Sequence, residues 1–132
     1  MKPTAVDIRN ALQDLPRIEG RGEHTTDDEV AAAFVTLSEF RDGGIFAGSF
    51  QGDSGWEVHP KGDEIVQILD GATRLTIITD GGREVFELTA GLLVVVPKGC
   101  WHRFHSEHGV TLLTATPQPT RHSFDDEPPA AD

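Results

Sequence analysis

The chain is 132 residues long and sets 22 acidic against 11 basic residues, a formal net charge of −11 at neutral pH. This length suits one domain around one hydrophobic core. The acidic balance excludes a nucleic-acid backbone or an anionic membrane surface as main partner, because both demand clustered lysine and arginine.

A small molecule or another protein is the partner that fits. The single cysteine, Cys100, cannot close an internal disulfide, and the charged N-terminal stretch MKPTAVDIRNALQDL lacks the apolar centre of a signal peptide. No stretch approaches the roughly 20 apolar residues that span a bilayer. The expected location is therefore a reducing cytoplasm.

In chain order, Thr4 is placed to cap a short helix. Val6, Ile8, Ala11, Leu12 and Leu15 fall at near-helical spacing in it, and Pro16 ends it. Residues 1–30 are thus expected to be an N-terminal helix and an extended arm. From Glu29 the texture changes to short apolar runs separated by glycine-rich breaks, among them Asp42-Gly43-Gly44, Lys61-Gly62-Asp63, Asp80-Gly81-Gly82 and Lys98-Gly99. The runs AAFVTLSEF, GIFAGSF, DEIVQIL, TRLTIIT, REVFEL, LLVVVP, WHRFH and VTLLTAT are rich in β-branched and aromatic residues. Such punctuation predicts many short antiparallel strands in a sandwich or barrel over residues 31–116. The remainder, 117–132, carries PQPTRHSFDDEPPAAD and is expected to be a flexible tail.

The metal-competent side chains gather in WEVHPKGDEIVQILDG, residues 56–71. Glu57 and His59 are two apart, so on a strand both project to one face while Trp56 and Val58 take the other. Pro60 and Gly62 then reverse the chain, with Asp63 as a turn residue. A hairpin there returns Glu64 beside His59, with 65–69 as core. A second patch, GLLVVVPKGCWHRFHS, turns at Pro97 and Gly99 and starts a strand with His102 and Phe104 on one face. If that strand lies beside the first hairpin, His102 completes a set of two imidazoles and two carboxylates.

These two patches resemble the motifs of the cupin superfamily, G-x5-H-x-H-x(3,4)-E-x6-G and G-x5-P-x-G-x2-H-x3-N. Here they stand as E-x-H-x4-E-x6-G over 57–71 and G-x5-P-x-G-x2-H-x3-S over 91–106, and the resemblance spans 34–116. It implies a double-stranded β-helix, or jelly-roll, barrel holding a divalent transition metal (Fe, Mn, Ni or Zn) through Glu57, His59, Glu64 and His102. Three departures stand out. Glu57 occupies the place of the first motif histidine, the leading glycine is displaced to Gly52, and Ser106 replaces the closing asparagine. With a divalent ion the four ligands are formally neutral, where three histidines and one glutamate leave a net positive charge; the pull on anionic substrates is weaker accordingly.

By strand alternation Phe46, Phe50, Gln67, Phe104 and Thr114 line the pocket, an assignment that one residue of register would invert. His105 points away from His102, and His24 and His122 are expected to do nothing specific. Trp56 and Trp101 are packing residues, and Cys100 has no base to activate it. The functions that follow are a metal-dependent enzyme of dioxygenase or isomerase type acting on a small oxygenated metabolite, a non-catalytic cupin that binds or senses a sugar or metabolite without metal, or a structural oligomer. A homodimer is expected throughout, as in short cupins that exchange edge strands, with the segment before Gly43 reaching across.

Overall fold

In the computed structural model, which describes residues 2–129, the elements run α1 (Ile8–Leu12), β1 (Ile18–Arg21), α2 (Asp27–Ala33), β2 (Phe34–Phe40), β3 (Gly43–Val58), β4 (Glu64–Thr79), β5 (Gly82–Thr89), β6 (Leu93–Val96), β7 (His102–Pro117) and β8 (Arg121–Ser123). The expected all-β barrel with short helices is the architecture found. Its frame is three strands of 16 residues each, β3, β4 and β7. β7 lies between the other two and pairs antiparallel with both. Thr114 stands opposite Phe46 on one side and Val66 on the other; twelve residues earlier in the same strand, His102 stands between Glu57 and Ile77.

Register shifts between Phe50 and Gly52, Asp53 and Trp56, Ile68 and Asp70, and Gly71 and Arg74 bend these long strands, so one ladder curls around a core. That core includes Phe50, Val66, Ile68, Leu75, Ile77, Val96, Phe104, Val110 and Leu112, with the rings of Phe50 and Phe104 edge to face at 6.3 Å. In β4 the inward residues are Glu64, Val66 and Ile68, and Ile65 is 39% exposed. The expectation that 65–69 is uniformly core is therefore corrected to a strand with one wet face.

Three further corrections concern the ends of the chain. α1 is capped by Asp7, whose carboxylate accepts from the Asn10 amide at 3.0 Å, and not by Thr4; the helix starts later and buries none of its residues. A second helix, α2, takes Ala32 and Ala33 from the strand expected there, because Thr26 and Glu29 form a reciprocal capping box. The segment after Pro117, expected as a flexible tail, supplies β8, which pairs with β3 through Trp56, Glu57 and Val58. Residues 130–132 of that tail lie outside the described residues. β1 and β2 also pair with β3 of the same chain, so the segment before Gly43 has its ladder partners within the molecule.

Candidate metal centre

The three elements that meet at the site are the end of β3, the start of β4 and the start of β7. Glu57 lies on β3 and His59 one residue past its end; β4 opens with Glu64 and β7 with His102. Sequence spacing suggested a hairpin between the first two strands. β3 and β4 are not paired with each other, however: Val58 pairs with Arg121 of β8, Glu64 with Val96 of β6, and β7 separates the long strands. The 60–63 turn is a crossover, pinned by the Lys98 amide donating to Asp63 Oδ1 at 2.8 Å. His59 and Glu64 thus meet across the barrel interior.

Ligand atoms of Glu57, His59 and His102 all lie within 4.8 Å of one another. Glu64 joins them, with Oε2 3.2 Å from His59 Nε2 and Oε1 3.2 Å from His102 Nε2. His59, Glu64 and His102 are buried, and Glu57 is nearly so. Each of the three buried groups is oriented from behind. His102 Nδ1 is 3.0 Å from the Cys100 carbonyl oxygen, which only accepts, so Nδ1 carries the proton. His59 Nδ1 is 2.9 Å from Thr120 Oγ1, whose own proton goes to Gln118 Oε1 at 3.3 Å, so His59 Nδ1 donates as well. Glu64 Oε2 accepts from Thr116 Oγ1 at 2.7 Å, and the hydroxyls of Thr114 and Thr116 are 2.7 Å apart.

With both Nδ1 atoms engaged as donors, the Nε2 atoms turn their remaining valence inward. There, His59 Nε2, His102 Nε2 and Glu64 Oε1 are buried without a hydrogen-bond partner. Neutral imidazole lone pairs facing carboxylate oxygens repel unless a proton or a cation lies between them. This is the donor set and outer support that a divalent transition metal requires, so the residues fit the group. In the metal-free protein the protons respond to the same crowding. Burial pushes the Glu64 carboxyl up, but contacts with His102 and His59 outweigh it and bring it down to about 2. Burial pulls His102 down, and Glu64 foremost, with Glu57 and the Cys100 carbonyl, pushes it above its ordinary value.

A cavity of about 320 Å3 opens on this cluster. Phe46, Phe50, Phe104 and Thr114 line it, with Glu57, His59 and Glu64 at its polar end. Gln67 does not. Glu64 faces inward, so alternation sends Gln67 out beside Ile65, opposite Leu93 on the outer side of the β4–β6 ladder. Several lining residues lie outside the sequence assignment, among them the polar Arg21, Thr120 and His122. Arg21 Nη2 lies 3.8 Å from Glu57 Oε1, and the guanidinium stacks over the rings of Phe50 at 4.7 Å and Phe34 at 5.6 Å. Its burial pushes its pKa down, against Glu57 and Asp53. His122, expected to do nothing specific, stands opposite Glu57 in the β3–β8 ladder. Trp56 faces away from the cluster, packed under Arg103 and Arg83 with its indole N–H on the Asp126 carbonyl at 3.4 Å.

Fold and site together define a small cupin, and the family profile described as Cupin domain (Cupin_2) matches residues 50–115. The chain belongs to that family. Among solved structures it is similar to a cupin-2 domain protein from Shewanella frigidimarina NCIMB 400, at 21% identity over 65% of this chain and 80% of that one, with a TM-score of 0.56. A conserved protein of unknown function from Streptococcus pyogenes aligns at 20% identity over 90% of this chain and 91% of its own, TM-score 0.56. The hydroquinone 1,2-dioxygenase PnpCD, solved with Cd2+ and 4-hydroxybenzonitrile, aligns at 16% identity over 86% of this chain and 72% of its own, TM-score 0.60. At these identities the likeness is one of fold. No curated protein sequence matches the chain.

Proposed function

We propose that this protein is a metal-dependent cupin enzyme, of dioxygenase or isomerase type, acting on a small oxygenated metabolite. Glu57, His59, Glu64 and His102 would hold a first-row divalent ion. The observation that carries the reading is the pair of buried imidazoles with Nδ1 fixed from behind and Nε2 unpartnered, aimed at the Glu64 carboxylate. When bound, the ion supplies Lewis acidity or redox capacity at a substrate oxygen.

The chain's own residues do the rest. Thr120 and the Cys100 carbonyl hold the two imidazoles in the tautomer that exposes Nε2. Thr116 keeps one Glu64 oxygen engaged. Phe46, Phe50, Phe104 and Leu112 keep water from the apolar end of the cavity and orient a substrate toward its polar end.

Metal analysis of the purified protein, followed by oxygen-uptake assays with diketones, catechols and thiols, tests this reading. One ion per chain is expected, with metal lost in His59→Ala and His102→Ala, and turnover with one substrate class. A wild-type protein that takes up no ion after incubation with Fe, Mn, Ni or Zn sinks it. One observation favours a second reading, a metal-free cupin that binds or senses a metabolite: the Arg21 guanidinium 3.8 Å from Glu57 offers that carboxylate a cation of its own. Ligand binding retained in Glu57→Ala without metal supports that alternative.

A further inference from the structure

We propose that Arg21 is the carboxylate anchor of this cavity, so that its ligand is a small monoanionic acid with an apolar body. The proposal rests on the metal reading above for the charge it assigns to the floor of the site, and it concerns a residue on β1, outside both sequence motifs.

Arg21 is held in an unusual state. Its side chain is 10% exposed, yet its guanidinium makes no hydrogen bond among the described residues; its ion-pair contact is Glu57 Oε1 at 3.8 Å, beyond hydrogen-bond reach. A guanidinium has five N–H donors in a planar fork that matches a carboxylate in two parallel hydrogen bonds. Stacking on Phe50 at 4.7 Å and Phe34 at 5.6 Å holds that plane, so little side-chain freedom is lost when an anion docks. A mostly buried cation with unspent donors at the cavity wall is satisfied most fully by an incoming anion.

Charge and shape narrow the ligand. Among the residues that line the cavity, Glu57 and Glu64 cancel a divalent ion and Arg21 adds one positive charge, with Asp53 near Arg21 but outside the lining. A single negative charge completes that balance, while a phosphate dianion would add repulsion against two carboxylates with one arginine to offset it. Val30, Phe34, Phe46, Phe50, Phe104 and Leu112 wall the remainder, which suits an apolar ring or chain. At about 320 Å3 the cavity is at the small end of ligand sites, roughly 300–1,000 Å3.

Calorimetric titration with benzoate and its neutral isostere benzamide tests the assignment, on zinc-loaded and on metal-free protein with metal content measured in each sample. Wild type is expected to bind benzoate at least tenfold more tightly than benzamide. Arg21→Gln should erase that preference with metal content and circular dichroism unchanged, and Arg21→Lys should keep part of it. Equal affinity for the two probes in wild type overturns the proposal without need of any variant. A preference that survives in Arg21→Gln overturns it too, because the carboxylate is then held by the ion. The two readings fail separately: an Arg21-dependent preference in protein that takes up no metal sinks the metal centre and leaves the anchor standing, and stoichiometric metal with no preference does the reverse.

Discussion

At the scale of single residues, the site depends on side chains that never touch its centre. Thr120 is 61 positions from His59 in sequence, yet its hydroxyl at 2.9 Å decides which imidazole nitrogen carries the proton. Outer partners of this kind are worth about 10- to 100-fold in metal affinity. Thr120→Val removes the acceptor while keeping the volume and the β-branched shape. Its zinc affinity, read by competition with a chromophoric chelator, should fall within that range while the circular dichroism spectrum stays as in wild type. An unchanged affinity would mean that the barrel wall alone orients His59. Glu57 is the other residue with two claims on it, since a bound ion and Arg21 would both draw on one carboxylate. Where the family's motif has a neutral imidazole, this chain has a charge together with a buried arginine to meet it.

At the scale of elements, the glycine displaced within the first motif has a structural job. Gly52 sits at φ +113°, in a conformation that L side chains rarely adopt, and a Cβ there would collide with the backbone amide nitrogen and carbonyl oxygen of Arg21. The bare backbone is what lets β1 lie parallel against β3 and present Arg21 to the cavity. Gly52→Ala should cost about 1–3 kcal/mol in denaturant unfolding, the usual range for a strained backbone position. It should also weaken benzoate binding more than zinc binding, because β1 is displaced and the ligand-bearing strands are not. Equal losses for both would place the damage in the whole barrel. The same elements show why parts of the site were legible in sequence. His59, Glu64 and His102 fall at short spacings beside turns, and Phe104 shares the face of His102 by alternation, so local chemistry places them. Arg21 and His122 reach the cavity on β1 and β8, and Thr120 from the residue just before β8; the pairing of these short strands with β3 is set by tertiary contact and leaves no periodic trace. Gln67 was misplaced because nothing local reveals which parity of β4 faces in, and the hairpin was misread because a turn of 60–63 looks the same whether it joins paired strands or crosses a barrel.

At the scale of the whole molecule, the site sets how stability responds to pH. Glu64 faces His59, His102 and Thr116, and Glu57 and Arg21 line the cavity beside it. In the metal-free protein its folded pKa of about 2 lies below the ordinary 4.5, so the unfolded chain binds the proton more readily. The stability this contributes is fully present above pH 4.5 and is lost as pH falls toward about 2. His102 runs the other way. Its folded pKa is raised above 6.5, so its contribution is fully present below that pH and is lost as pH rises through the raised value. Metal-free protein should therefore be most stable between about pH 4.5 and 6.5. A bound ion reverses the alkaline loss, because it requires the same imidazoles deprotonated and stabilises only the folded chain, by about 2.7 kcal/mol when free ion stands at 100 times its dissociation constant. Thermal melts in chelator and in excess zinc at pH 3, 5.5 and 8 separate the two effects. The chelated protein should melt highest at pH 5.5, and the gap between zinc and chelator should widen from pH 5.5 to 8. A chelated protein that is most stable at pH 8 would show that Glu64 and His102 do not share a proton across the barrel.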